Sequence, residues 1–203
     1  MEIEAKFAVS DEATLNRLAA VDQLADYVVL PGKTKRMHDT FLDTADRKII
    51  RSGHVCRQRD FGDHLEMTLK GGHVIEGAVH KREELMLDLP RAMPVRDWPD
   101  SEMRSIVLAL IGDEPLQPLF DQRQVRVMRL MAKGDQIVAE FSADRVELAH
   151  GDQQRVYFEV EVELKEAGTL ADLDVIAASL QNDWHLQPEA RSKFERALEF
   201  SLK

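Results

Sequence analysis

The first residues of the chain alternate between charged and apolar side chains. In Glu2–Phe7 the even positions are charged and the odd positions are apolar. A period of two is typical of a β-strand. Ser10 then begins a pattern in which Leu15, Leu18 and Leu24 recur at helical spacing. This pattern predicts a helix that starts near Ser10 and continues to about Leu24.

The rest of the chain predicts an α+β protein. Helical patterns cover Ser101–Ile111, Thr169–Gln181 and Glu189–Leu202. No repeat, low-complexity tract or linker divides the chain, so we expect one domain over residues 1–203. Strand patterns occur around Thr40–Leu42, His54–Asp60, Leu65–Lys70, Val79–Leu89, Asp121–Ala132, Gln136–Asp144 and Tyr157–Lys165.

Composition narrows the function classes. The chain has 203 residues, 27 basic and 37 acidic, with a net charge of −10. This acidic balance argues against a nucleic-acid partner. Cys56 is the only cysteine, so no internal disulfide forms. The start resembles no signal peptide and no apolar run suits a membrane helix, so we expect a soluble, cytoplasmic protein without a membrane partner. Whether it forms a homodimer stays open.

One predicted strand carries three carboxylates on a single face. Glu159, Glu161 and Glu163 alternate with apolar residues. Neighbours on one strand face lie about 6.8 Å apart, so these carboxylates repel and require a compensating cation. Glu2 and Glu4 repeat the arrangement on the first strand.

Other strands carry basic groups in the same way. Arg57 and Arg59 share a face, and so do Arg82 and Glu84. If the sheet curls into a barrel, the charged faces line its lumen and the apolar faces lie under helices. The fold predicted is an eight-stranded antiparallel closed β-barrel, a tunnel with a charged lumen and helices packed outside. Such a lumen suits a polyanion bound with divalent metal ions.

Motifs along nearly the whole chain resemble the CYTH family, the triphosphate tunnel metalloenzymes. The start Glu2–Lys6 has the family's E-x-E-x-K form, and the segment Arg191–Arg196 looks most like bacterial inorganic triphosphatases. Further segments follow in the family's order: Asp39–Thr44, Arg57–Arg59, Thr68–Lys70, Arg82–Glu84, Arg123, Asp144 and Glu159–Glu161.

The resemblance implies metal-dependent hydrolysis of a linear triphosphate, above all inorganic tripolyphosphate to pyrophosphate and phosphate. It implies Mg²⁺ or Mn²⁺ as cofactor and a small polyanionic substrate as partner. The implied metal ligands are Glu2, Glu4, Asp144, Glu159 and Glu161. The implied substrate-binding residues are Lys6, Arg57, Arg59, Lys70, Arg82 and Arg123, and the implied catalytic set is Glu2, Glu4, Lys6, Arg57 and Arg59. Roles for Glu163, Arg126, Lys193 and the basic segment 33–36 stay open; that segment is either a solvated loop or a mobile lip.

Three other functions remain open at this stage. They are a class IV adenylate cyclase, a thiamine or nucleoside triphosphatase, and a catalytically silent polyphosphate or nucleotide sensor. Cyclases that resemble the family carry a His-Phe pair before E-x-E-x-K, and only Met1 precedes Glu2 here. The chain is 6% aromatic, so few residues could read an adenine ring, which favours naked triphosphate over ATP.

Overall fold

The computed structural model describes the backbone of residues 2–76, 79–150 and 152–201; the side chains of Glu2, residues 72–76, residues 79–82 and His150 lie outside this description. The strands are β1 (Glu2–Val9), β2 (Gln23–Leu24), β3 (Tyr27–Val29), β4 (Lys33–Asp43), β5 (Val55–Asp60), β6 (Leu65–Glu76), β7 (Val79–Leu89), β8 (Gln117–Lys133), β9 (Gln136–His150), β10 (Gln153–Leu164) and β11 (Gln187–Pro188). The helices are α1 (Glu12–Ala19), α2 (Lys48–Arg51), α3 (Glu102–Ile111), α4 (Leu170–Asn182) and α5 (Lys193–Ser201), with a 3₁₀ turn at Val95–Asp97.

All strands belong to one antiparallel sheet. Its order is β2-β3-β8-β4-β5-β6-β7-β1-β10-β9, with β11 paired to β1 and β8 also paired to β9. The predicted closed eight-stranded barrel is therefore wrong: the described residues form a larger, tunnel-like sheet of eleven strands. The additional strands β2, β3 and β11 have two or three residues each. Segments that short show no alternation, so the sequence pattern gave no sign of them.

The outward faces of the sheet are apolar and lie under helices, as predicted. Phe7 and Phe141 pack in one buried cluster with Leu173 of α4. Met67 and Leu69 belong to a second cluster that includes Val107 of α3. Burial of this kind removes apolar surface from water, which is the main favourable term in folding. Most of the described residues on the inward faces are polar or charged.

Helix α5 departs from the prediction that the helices pack outside. Phe194 of α5 lies against Phe41 and Phe120, with ring centroids 5.3 and 5.6 Å apart. Tyr157 is buried in the same group. We call these four residues the aromatic end cluster. Phe41, Phe120 and Tyr157 lie in the inward phase of their strands, so α5 covers one end of the tunnel and buries their rings there.

Several element boundaries also differ from the prediction. α1 ends at Ala19 rather than near Leu24. The reason is Arg129, whose guanidinium donates to the carbonyl oxygens of Ala19 and Leu30 at 3.1 and 2.8 Å and so holds the chain in a turn after the helix.

The basic segment 33–36 is the start of β4 rather than a loop. α5 begins at Lys193 rather than Glu189. Within the described residues, every helix is too short or too polar to cross a membrane.

Candidate active site

The sheet encloses a cavity of about 700 Å³, which we call the tunnel cavity. Among the described residues, its charged lining comprises eight basic and seven acidic side chains. The basic residues are Lys6, Lys35, Arg57, Arg59, Lys70, Arg126, Lys165 and Lys193. The acidic residues are Glu4, Asp39, Glu66, Glu84, Glu140, Glu161 and Glu163.

Two arginines of β5 form the centre of a basic wall. Arg59 donates to both oxygens of Asp39, at 2.6 and 2.8 Å. Arg57 donates to Thr68 Oγ1 at 2.8 Å and to Glu66 at 3.4 Å. Burial alone would raise the pKa of Asp39, but the hydrogen bonds from Arg59 and the charges of Arg57 and Arg59 bring that pKa below its usual value. Both guanidinium groups are therefore held in fixed positions before any ligand binds.

Two lysines extend this wall. Lys6 of β1 is buried, and its Nζ lies 3.7 Å from Glu4 Oε1. Lys70 of β6 lies 3.3 Å from Glu84 of the neighbouring strand. Each cation has an acidic neighbour on the same or the next strand. An anion entering the cavity thus meets cations that are already desolvated and oriented.

β9 and β10 carry the carboxylate cluster, formed by Asp144, Glu159 and Glu161, and Lys6 of the neighbouring β1 is the register partner of Glu161. One oxygen of each lies within 4.8 Å of the others. The register explains the cluster, because Asp144 of β9 is directly opposite Glu159 of β10, and Glu161 is the next inward residue on that strand. Asp144 and Glu159 are buried. Burial raises the pKa of Glu159.

Three cations contact the carboxylate cluster. Lys193 Nζ lies 2.9 Å from Asp144 and 2.7 Å from Glu161, and it also contacts Glu159. Arg126 donates to both oxygens of Asp144, at 2.8 and 2.6 Å, and to Glu161. Burial would lower the pKa of Lys193, but the three carboxylates hold it well above its usual value.

The third cation lies behind the cluster. Arg196 of α5 donates to Glu159 Oε2 at 3.0 Å, and its guanidinium stacks on the Tyr157 ring at 3.6 Å. Burial would raise the pKa of Glu161, but Lys193 and Arg126 hold it well below its usual value. The cluster therefore keeps its negative charge inside the protein by surrounding it with cations.

The donor set of the carboxylate cluster fits a divalent metal ion. Mg²⁺ and Mn²⁺ prefer carboxylate oxygens, and three such groups converge here. The Lys193 ammonium group already occupies a position among all three. A site that attracts one cation so strongly is suited to another. Asp144, Glu159 and Glu161 are thus able to hold a metal ion.

Comparison with known families agrees with this arrangement. The CYTH domain matches residues 1–198. The chain belongs to the CYTH family. No curated protein matches the sequence closely enough to add to this assignment.

Solved structures that resemble this chain over nearly its whole length include the following two. One is HpAC1 from Hippeastrum, named as an adenylyl cyclase candidate and described as having a dominant triphosphatase activity. It is 20% identical, with a TM-score of 0.74 over 100% of this chain and 98% of that one. The other, named as an adenylate cyclase candidate, is from Bacillus halodurans; it is 17% identical, with a TM-score of 0.61 over 97% and 96% of the two chains. At these identities the likeness shows the fold alone.

The structure brings most of the sequence-predicted site residues of this CYTH protein together. Glu4, Lys6, Arg57, Arg59, Lys70 and Glu161 line the tunnel cavity. Asp144 and Glu159 complete the carboxylate cluster. The backbones of Glu2 and Arg82 pair between β1 and β7, but both side chains lie outside the described residues. Glu163, whose role the sequence leaves open, lines the tunnel cavity, and the Lys165 ammonium group donates to its carboxylate at 3.0 Å.

Arg123 does not join the site. Its side chain is exposed, and its neighbours in the strand, Gln122 and Gln124, are the ones that line the cavity. Side chains alternate along a strand, so Arg123 points to the opposite face. The substrate-binding role predicted for Arg123 is therefore not supported by its position. Arg126, in phase with Gln124, is the cation that β8 contributes to the cavity.

Sequence reasoning missed two further residues of the site. The sequence indicates no site role for Asp39 beyond its place in a motif, yet its carboxylate accepts the hydrogen bonds of Arg59. The sequence assigns no role to Lys193, yet this lysine contacts every member of the carboxylate cluster. The signal for Asp39 is its phase in β4, where Met37 and Phe41 are also inward. No comparable signal exists for Lys193, because a helix pattern does not say which part of a sheet the helix meets.

Proposed function

We propose that this CYTH protein hydrolyses a linear triphosphate, with inorganic tripolyphosphate as its preferred substrate, to pyrophosphate and phosphate. One observation carries the proposal: four oriented cations line the same cavity as Glu161 of the buried carboxylate cluster. Phosphoryl transfer depends mainly on positioning and on electrostatic stabilisation of the transferred group. A basic wall and a metal-binding cluster in one enclosure supply these two requirements.

The basic wall would bind the phosphate oxygens. Arg57 and Arg59 offer planar guanidinium groups, which pair well with phosphate oxygens, and Lys6 and Lys70 act as point charges. Their acidic neighbours keep these cations oriented while the cavity is empty of anion. Binding costs little reorganisation, since the donors are already in place. The phosphate contacts then supply most of the binding energy.

The carboxylate cluster, together with Glu4 and Glu2, would hold Mg²⁺ or Mn²⁺. Such an ion, when bound, neutralises phosphate charge and lowers the pKa of a coordinated water. While no metal ion is bound, Lys193 and Arg126 contact the same carboxylates and keep them in place. Their positive charges, at the edge of the tunnel cavity, are also placed to stabilise negative charge that develops on the transferred phosphoryl group.

The preference for a naked triphosphate rests on the lining of the cavity. Among its described lining residues the aromatic side chains are Phe41 and Phe194, and both are packed in the aromatic end cluster. Inside the tunnel, therefore, an organic group would meet mainly charged and polar side chains, and the two described aromatic rings there are already packed against other rings. It would add bulk to a triphosphate without a matching gain in contact inside the cavity.

The experiment is phosphate release from tripolyphosphate, pyrophosphate, ATP and thiamine triphosphate, each with Mg²⁺, with Mn²⁺ and with EDTA. We expect the highest kcat/KM for tripolyphosphate and no release in EDTA. Arg57→Ala should lower kcat/KM for every active substrate, while Arg51→Ala, at an exposed position of α2, serves as the matched control. Full activity in EDTA would contradict the metal assignment.

Product analysis separates the remaining functions. ATP products are resolved by ion exchange after reaction with Mn²⁺. Cyclic AMP with pyrophosphate as the main products would overturn the hydrolase proposal in favour of a cyclase. Binding of tripolyphosphate without release of phosphate under any metal condition would instead indicate a polyphosphate sensor.

A further inference from the structure

Two aromatic rings stack at the tip of the hairpin that joins β5 to β6. The centroids of Phe61 and His64 lie 4.8 Å apart, with an angle of 8° between the ring planes. Between them, Gly62 adopts a positive φ of 89°, which permits the tight turn. The Phe61 amide donates to the His64 carbonyl oxygen at 3.0 Å. We call Phe61 and His64 the rim pair.

The rim pair continues the inward face of the two strands. Arg59 and Glu66 are register partners, and both line the tunnel cavity. Phe61 and His64 are the next pair in the same phase, because side chains alternate along a strand. The pair between them has the opposite phase, as Leu65 packs in the outer apolar cluster. The rim pair therefore lies about 7 Å beyond the Arg59–Glu66 pair along the strands.

Strand direction places the rim pair at the end of the tunnel opposite α5. β5 runs from Val55 toward the hairpin tip, and its residue Arg57 is the register partner of Phe41 in the aromatic end cluster. The tip is thus displaced from that cluster along the tunnel axis. A substrate whose phosphates contact Arg57 and Arg59 would direct any attached group away from α5 and toward the rim pair.

The rings are placed to receive another ring. Phe61 is 45% exposed, an uncommon exposure for a phenylalanine, and His64 stacks parallel to it. His64 Nδ1 lies 2.7 Å from Asp63 Oδ1, which fixes the orientation of the imidazole. A cross-strand aromatic pair also stabilises a hairpin, so the experiment must separate that role from binding.

We propose that the rim pair stacks on the heteroaromatic ring of an organic triphosphate and so determines how well nucleoside triphosphates compete with tripolyphosphate for the basic wall. The inference rests on the proposed function, because it needs the triphosphate to lie along the basic wall. Stacking on an aromatic side chain tolerates any base, since every base has a π-face. The rim pair thus extends acceptance to nucleoside triphosphates without selecting one base.

The test compares kcat/KM for ATP and for tripolyphosphate in Phe61→Ala, Phe61→Leu and Val156→Ala. Phe61→Leu keeps an apolar side chain in the hairpin and removes the ring, and Val156 is an exposed apolar residue of β10. We expect both Phe61 variants to lower kcat/KM for ATP about fivefold or more, as expected for loss of one stacking contact. Tripolyphosphate hydrolysis should stay within about twofold of wild type, and Val156→Ala should change neither.

Saturation-transfer NMR of ATP in EDTA tests the contact without hydrolysis. We expect saturation of the adenine H2 and H8 protons by the wild-type protein and its loss in Phe61→Leu. An equal loss of kcat/KM for both substrates in Phe61→Leu, an unchanged value for ATP, or no adenine saturation would each overturn the proposal. If the protein hydrolyses neither substrate, the proposed function fails, and the adenine signal alone decides the role of the rim pair.

Discussion

Lys193 places an ammonium group among the three members of the carboxylate cluster. Its Nζ contacts Asp144, Glu159 and Glu161. An unpaired buried charge is costly, so the lysine is needed wherever no other cation is present. The same carboxylates are the candidate ligands of a divalent ion. Lysine and metal ion therefore compete for them in the absence of substrate.

We expect Lys193→Met to lower the melting temperature in EDTA and to enlarge the rise that Mn²⁺ produces. A ligand that binds only the folded state stabilises it in proportion to its affinity, and Mn²⁺ would restore the charge that the variant lacks. Differential scanning fluorimetry with and without Mn²⁺ measures both effects. Lys48→Met, which removes a partly exposed ion pair with Glu114, is the control. An equal rise in melting temperature with Mn²⁺ in wild type and Lys193→Met would contradict competition between the lysine and the metal ion.

A second pair of residues tests the phase of β8. Arg126→Gln removes the donor to Asp144 and Glu161, and should lower kcat/KM for tripolyphosphate more than tenfold. Arg123→Gln changes an exposed side chain on the other face and should stay within about twofold. Melting temperatures of both variants show how much of the loss is unfolding. A larger loss in Arg123→Gln would mean that the phase is wrong.

Alternation of side chains predicted much of the site. Glu159 and Glu161 were placed on one face by their spacing alone, and Arg57 and Arg59 likewise. The exposed position of Arg123, which does not fit its predicted role, has a physical reason. A strand of 17 residues offers arginines in both phases, and only burial decides which phase is inward. Gln122 and Gln124 are buried and show which phase is inward, but the sequence alone does not indicate that these glutamines are buried.

At the scale of elements, α5 differs most from expectation. Its Phe194 packs against Phe41 and Phe120, both inward residues of the sheet. The sequence predicted the helix from its periodicity but could not predict its partner, because the periodicity defines an apolar face and not the surface that covers it. Periodicity also does not predict the short strands β2, β3 and β11, because they form only where neighbouring backbone groups are available to pair.

Phe194→Ala should destabilise the protein by about 3–5 kcal/mol, the usual cost of removing a buried phenylalanine ring. Urea unfolding followed by circular dichroism gives the free energy of unfolding. Leu170→Ala, at an exposed position of α4, is the matched control and should change it by less than about 0.5 kcal/mol. A loss as small as that of the control would mean that α5 does not pack in the end of the tunnel.

At the scale of the whole molecule, the tunnel ties stability to pH. The folded state holds the pKa of Asp39 below its usual value, mainly through Arg59 and Arg57 acting against burial. A carboxyl with a lowered folded-state pKa contributes stability above its unfolded pKa, near 3.9, and loses that contribution as the pH falls through the folded value. Protonation of Asp39 at low pH should therefore weaken its ion pairs with Arg57 and Arg59 and lower the free energy of unfolding.

We expect Asp39→Asn to lose less stability than wild type between pH 5 and pH 3, although it is less stable than wild type at pH 5. Free energies of unfolding from urea titrations at the two pH values provide the comparison. Asp174→Asn, at an exposed position of α4, should follow the wild-type pH dependence. If the free energy of unfolding of Asp39→Asn falls between pH 5 and pH 3 by as much as that of wild type, the link between Asp39 and acid stability is contradicted.

The most direct measurement of the central claim is ³¹P NMR of tripolyphosphate with Mg²⁺, the wild-type protein and Arg57→Ala. The account predicts that the wild-type protein converts tripolyphosphate to pyrophosphate and phosphate in equal amounts, and that Arg57→Ala slows this conversion more than tenfold while it remains folded. Unchanged tripolyphosphate after incubation with a stoichiometric amount of wild-type protein, or equal rates in the two proteins, would contradict it.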